Sequence, residues 1–319
     1  MDQDRPLLGI LLMLGFCVVA PMGDATAKLL GGKVPLAELL FVRFGIQALV
    51  LIPVVILTGR VWRMSRRVFA LSLLRTVMHM LGIGMMFMAL IYLPLADAVA
   101  IAFIMPFLTL LLGHYVLGEE VGWRRMAACA VGFAGTLLVV QPAFADVGWP
   151  ALLPLGVAIN FSLFMLVTRQ IAREIDAISL QAVSGVMAML VIGPMLVILP
   201  GGVIPGLAWE GVPPEVIWLL LAIGLFGTLA HLLMTWSLKF APGATLAPMQ
   251  YLEIPFATII GFVIFGDLPD PIATLGICVT VSAGLYILMR ERSVMRASAS
   301  RAAPAPAPVQ GAGATSPAE

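Results

Sequence analysis

Glu253 lies about ten residues into an apolar stretch, with Gln250 and Tyr251 within one helical turn of it and prolines at 248 and 255 on either side. A carboxyl so placed can take a cationic or hydrogen-donating group of a small molecule, or carry a proton. The plain alternative is a structural carboxyl, hydrogen-bonded or protonated in place. Arg75 and His79 are four residues apart and share one helix face, while His231, Trp236 and Asn160 interrupt other apolar runs. Each is a candidate to line a binding cavity; Arg75 has the alternative of stretching its charge to an interface, and Trp236 that of simple packing. Asp24 and Lys28, acid first at i and i+4, have the spacing of a structural intrahelical ion pair. Arg43 has two readings, joining Asp24 or receiving an anionic group of a ligand.

Enzymatic chemistry has less to stand on. A membrane-embedded transferase needs a nucleophile, a base or metal ligands converging on one point. His79, His114 and His231 fall in separate apolar stretches without HExxH-type spacing, and no phosphate-cradling glycine loop occurs. Cys17, Cys129 and Cys278 sit singly in apolar runs and read as small apolar residues. The expectation is no cofactor, no metal, and no nucleic acid at a net charge of +1.

The elements that must position these groups follow from composition. Of 319 residues, 61% are hydrophobic and 11% charged, against about 45–50% and about 25% in a soluble domain. Runs of about twenty apolar residues span a hydrocarbon core of about 30 Å, so the chain is expected to be an all-α integral membrane protein. Ten spans are predicted, over 7–30, 36–58, 68–91, 96–117, 123–140, 149–169, 177–199, 215–238, 244–265 and 271–289. Residues 293–319, rich in Ala, Pro and Ser, are expected to form a disordered cytoplasmic tail. With the N-terminus inside, the cytoplasmic segments hold fourteen of the eighteen Lys and Arg residues, as the positive-inside rule requires. Both termini are then cytoplasmic. A cleavable leader ending near Ala25-Thr26-Ala27 is the competing reading of the first span.

The halves repeat. An offset of 141 places Lys28 on Arg169 and Pro53 on Pro194; an offset of about 148 places Pro94 on Pro242, Ala96 on Ala244 and Gly118 on Gly266. Residues 1–141 and 149–290 therefore read as two five-helix repeats. A unit with an odd number of crossings is inserted upside down on duplication, and inverted repeats around a midplane site are the usual architecture of secondary transporters. Pro21, Pro106, Pro248 and Pro255 interrupt spans, which is tolerated where protein or a cavity re-satisfies the freed carbonyls. Glu119 and Asp267 close spans at opposite faces and read as helix-end anchors. Small residues of the fifth span (Ala127, Ala128, Gly132, Gly135) and the tenth (Gly276, Ser282, Ala283, Gly284) permit close helix approach, and are expected at a rim or homodimer surface rather than along a pore.

Asp24-Ala25-x-x-Lys28, Arg43, Arg75, Leu93-Pro94-Leu95-Ala96-Asp97-Ala98, Leu117-Gly118-Glu119, Gly132-Phe133-x-Gly135, Ala241-Pro242-Gly243-Ala244 and Phe265-Gly266-Asp267 together resemble the drug/metabolite transporter superfamily, specifically ten-helix bacterial members with two EamA-type repeats. The second-repeat Gly-Glu of that family is Gly-Asp here. The resemblance implies a secondary active transporter in the bacterial inner membrane, moving a small organic metabolite by alternating access, with a proton as a coupling-ion candidate. Riboflavin, S-adenosylmethionine and amino-acid-like solutes are the candidates it suggests. A lipid-modifying enzyme is the alternative, and a channel a third reading that lacks any filter-like sequence.

Overall fold

The computed structural model describes residues 5–60, 63–118, 122–198 and 211–302. Every regular element in it is a helix: α1 (Pro6–Leu30), α2 (Leu36–Leu57), α3 (Arg66–Tyr92), α4 (Leu95–Ala102), α5 (Met105–Leu117), α6 (Trp123–Val147), α7 (Leu153–Ile171), α8 (Ala177–Ile198), α9 (Ile217–Phe240), α10 (Gly243–Gln250), α11 (Glu253–Phe265) and α12 (Pro271–Ala302), with single 3-10 turns leading into α7 and α9. Hydrocarbon offers no hydrogen bonds, so spanning segments satisfy their backbone internally as helices. Eight stretches are long and apolar enough to cross a bilayer, and 253–265 and 271–286 are shorter apolar helices.

Two spans differ from the sequence expectation. The fourth and ninth are each broken, into α4–α5 and α10–α11, and the second break begins 148 residues after the first. Proline lacks an amide hydrogen and collides with the carbonyl four residues back. Pro255 is placed to do so at Tyr251, the residue that follows the upstream segment, and Pro106 is the second residue of α5. The broken helices also start and stop alike. Pro94 and Pro242 precede them, and Gly118 and Gly266 close them in the left-handed region, at φ 66° and 74°, which glycine adopts without a Cβ penalty. The last helix runs on to Ala302, past the start of the predicted tail at 293, because alanine and arginine favour continued helix. Residues 303–319, like Glu119, lie outside the described residues.

The halves pack through reciprocal contacts. α1 lies along α9, and α7 along α3, so the first helix of each half meets the third of the other; α2 meets α8 and α6 meets α12, equivalent elements face to face. In lipid such contacts rest on van der Waals fit rather than on a hydrophobic drive. Between α6 and α12 the backbones approach so closely that a Cβ on Gly135 would overlap Thr280 and the Gly276 carbonyl, and Thr280 Oγ1 donates to the Gly132 carbonyl at 3.2 Å. Gly132, Gly135 and Gly276 are thus used between two helices of one chain, and none of the three lines the cavity described below.

Polar links close the face where α1 begins. Arg60 pairs with Asp176 at 2.7 Å, Arg67 with Glu174, Arg169 with the Leu238 carbonyl, and the Arg5 amide donates to the Phe240 carbonyl at 3.1 Å. At the opposite face Lys28 Nζ reaches Asp267 at 3.0 Å and the Leu93 carbonyl at 3.2 Å.

Candidate functional site

A cavity of about 980 Å3, its open mouth included, lies among α1, α3, α4, α7 and α9, with Arg43 from α2 and Glu253 from α11 completing its wall. Small-molecule sites are mostly apolar, with a few convergent polar groups. This one fits that description. Phe16, Phe103, Phe161, Phe164 and Phe226 supply much of the apolar surface, and Asp24, Arg43, His79, Asn160, His231 and Glu253 are its hydrogen-bonding and charged groups.

Each polar group is placed by a local cause. Glu253 is the first residue of α11, at the proline break, so its carboxyl enters the cavity beside the helix terminus. Its Oε2 is buried and makes no hydrogen bond. Arg43 enters from α2 because Gly227 on α9 leaves room, since a Cβ there would collide with the guanidinium. The Arg43 and Asp24 charges act on one another, yet Arg43 Nη1 is buried without a hydrogen bond. His79 on α3 and His231 on α9 meet Nε2 to Nε2 at 2.8 Å, and neither Nδ1 has a partner. Asn160 Nδ2 donates to the Met78 carbonyl at 2.7 Å, tying α7 to α3 at the wall.

Comparison with known proteins decides the family. The model of the EamA-like transporter family matches residues 7–141 and again 148–290. The chain belongs to the EamA-like transporter family. Among its relatives, a protein named S-adenosylmethionine uptake transporter from Rickettsia prowazekii is 24% identical, covering 91% of this chain and 95% of that one; one of the same name from Rickettsia bellii is 26% identical over 90% and 96%. A riboflavin transporter from Vibrio cholerae is 25% identical over 92% and 97%. A solved crystal structure superposes with a TM-score of 0.63 at 18% identity, covering 92% of this chain and 99% of that one, which extends the likeness in fold.

In this EamA-like transporter the other sequence candidates take different places. Lys28 is at the end of α1 and reaches Asp267 and the Leu93 carbonyl, which corrects the expected Asp24–Lys28 pair. Asp24, one turn earlier on α1, faces the cavity instead. Arg75 is buried below the cavity rather than lining it. Its guanidinium donates to Thr168 at 2.9 Å, Ser184 at 3.2 Å and Thr235 at 3.5 Å, and stacks 4.5 Å from the Phe164 ring centre. Three helices, α7, α8 and α9, are thereby tied to α3. Gln250 and Tyr251 are turned from the cavity by the helix break: Gln250 Nε2 faces Met165 Sδ at 3.1 Å, and Tyr251 packs on Phe103 and against Gly132. Trp236 packs half-buried beside the cluster of Leu51, Val55, Ala177 and Leu232, on the far side of α9 from the cavity wall.

Several working residues escaped the sequence analysis. The Cys17 thiol donates to the Met249 carbonyl at 3.6 Å, just upstream of one break, and Ser162 Oγ donates to the Met105 carbonyl at 3.1 Å, at the other. Cys17 is on the first helix of its half and Ser162 on the first of the other, so each break is held by the first helix of the opposite half, one from upstream and one from downstream. Gln181 was missed too. It accepts from Gln47 Nε2 at 3.2 Å and donates to the His231 carbonyl at 3.1 Å and Thr235 Oγ1 at 3.2 Å. Only the pairing of α2, α8 and α9 in space reveals such a network.

Proposed function

We propose that this multi-pass transporter carries, by alternating access, an amino-acid zwitterion bearing an aromatic ring and a further cationic centre, the chemistry of S-adenosylmethionine. The observation that carries the reading is the set of unsatisfied groups in the cavity. Arg43 Nη1 lacks an acceptor and Glu253 Oε2 lacks a donor, and buried polar groups left unpaired cost about 1–3 kcal/mol each. A carboxylate on Arg43 and an ammonium on Glu253 satisfy both at once. Asp24 offers a second anion for another positive charge, and the phenylalanine faces attract a ring or a sulfonium. The Rickettsia relatives named S-adenosylmethionine uptake transporters support this choice. Riboflavin has no cation to answer two carboxyls.

Broken helices that meet a midplane cavity are a recurring transporter device, and supply the ground for alternating access. We place the protein in the bacterial inner membrane with both termini in the cytoplasm, on the asymmetry of Lys and Arg. The test is counterflow of labelled solute in proteoliposomes. Saturable exchange of S-adenosylmethionine, competed poorly by riboflavin, is expected; exchange of riboflavin alone overturns the substrate, and no flux with either class overturns the site.

A further inference from the structure

The two histidines that meet in the cavity have no role in the solute scheme above. Their geometry allows one. At 2.8 Å between Nε2 atoms, one ring donates its Nε2–H and the other accepts on its Nε2 lone pair. In the neutral pair the accepting ring keeps its own proton on Nδ1, and the donating ring has a free lone pair on Nδ1. Both Nδ1 atoms are buried and unpartnered. A proton entering from the cavity bonds to that lone pair and breaks nothing: the pair becomes an imidazolium donating to an imidazole, a charge-assisted bond stronger than the one it replaces. The pair is therefore built to hold one additional proton.

Its surroundings set what that proton competes with. The charged groups acting on it are Arg43 on α2 and Arg75 on α3, and Asp24 on α1 and Glu253 on α11 share its cavity wall; α7 presents Asn160, Phe161 and Phe164, which do not titrate. Two arginines against two carboxyls leave the cluster formally neutral. One further positive charge, either the proton on the histidines or the net charge of a cationic solute, is held there against Arg43 and Arg75, and holding both at once in a low-dielectric cavity is expensive.

We infer that the His79–His231 pair is the coupling site of a proton/solute exchanger, in which one proton on the pair and one cationic solute in the cavity exclude each other. The pair joins α3 to α9, the third helices of the two halves, so the bound proton sits at the junction that alternation must work. The inference rests on the cationic-solute reading, and the experiment separates the two. Full-length protein is reconstituted in voltage-clamped proteoliposomes with a pH dye inside, and labelled S-adenosylmethionine is added outside. Protons should leave as solute enters, and His79→Gln or His231→Gln should lower the protons moved per solute at least about tenfold, since glutamine keeps polarity and cannot titrate over the range histidine does. Solute entry without proton movement, or an unchanged ratio in the variants, overturns the inference. Absence of solute entry in the wild type counts against the substrate reading alone. The pair is then read directly, by 15N-histidine NMR of the wild type in nanodiscs from about pH 8 to about pH 5. Uptake of one proton with the Nε2–Nε2 bond retained supports the site, and two rings that stay neutral across that range overturn it.

Discussion

The two broken helices have the same geometry and different chemistry. Each runs eight residues, breaks, and runs thirteen more, with proline before it and a left-handed glycine after it. Where α11 begins with Glu253, α5 begins with Met105, and both residues line the cavity. Phe103 at one break and Tyr251 at the other are equivalent positions, and their rings pack at 5.9 Å. The broken backbone is thus present twice, but a carboxyl at the head of its second segment is present once.

That contrast can be attacked at its strongest point first. Glu253→Gln removes the charge while keeping shape, and is expected to lower solute exchange at least about a hundredfold, in line with the loss of a buried charge partner, with the melting temperature in detergent nearly unchanged. Wild-type flux would remove Glu253 from recognition. Met105→Glu gives α5 the carboxyl that α11 has, without an Arg43 of its own opposite. A cost of about 2.5–3.5 kcal/mol for an acid at mid-membrane should appear as lower thermal stability and poorer yield; equal stability would mean the two breaks are interchangeable environments. Gly135→Val tests packing remote from both. Overlap with the Gly276 carbonyl should destabilise by about 1–3 kcal/mol, read by thermal unfolding, with solute affinity retained in the folded fraction. Lys28→Ala removes a half-buried pair with Asp267, and should cost no more than about 1 kcal/mol in the same assay. Smallest of all, Trp236→Phe should leave solute affinity within about twofold, as expected for a substitution away from the site.

Much of the fold was legible because lipid makes the signal simple. Apolar runs gave most of the spans to within a few residues, and the offset of 148 aligned the two stretches that the structure breaks. Pro106 and Pro255 do fall at those breaks, whereas Pro21, also expected to interrupt its span, is carried inside an unbroken α1. The site was less legible, for a reason the same prolines illustrate. Gln250 and Tyr251 are close to Glu253 in sequence, and on an unbroken helix would be its neighbours; the break turns them toward α7 and α6. Asp24 and Lys28 have the spacing of a pair, but spacing cannot say that Lys28 has a better partner in Asp267, across the bundle. His79 and His231 were each candidates, while their contact joins residues far apart in the chain and has no local signature. Arg75 was expected to line the cavity or reach an interface; it is instead buried, because its three hydroxyl partners come from three other helices.

The ring contact between Phe103 and Tyr251 has one more consequence. Two equivalent residues that touch each other mark the line about which the halves are related. A rearrangement that exchanges the surroundings of one half with those of the other leaves that line in place, so these rings keep their neighbour while residues near the helix ends trade theirs. The spacing between reporter groups beside Phe103 and Tyr251 should stay fixed through a transport cycle, and spacings measured from Lys28 or Arg60 across the bundle should change with every turn of it.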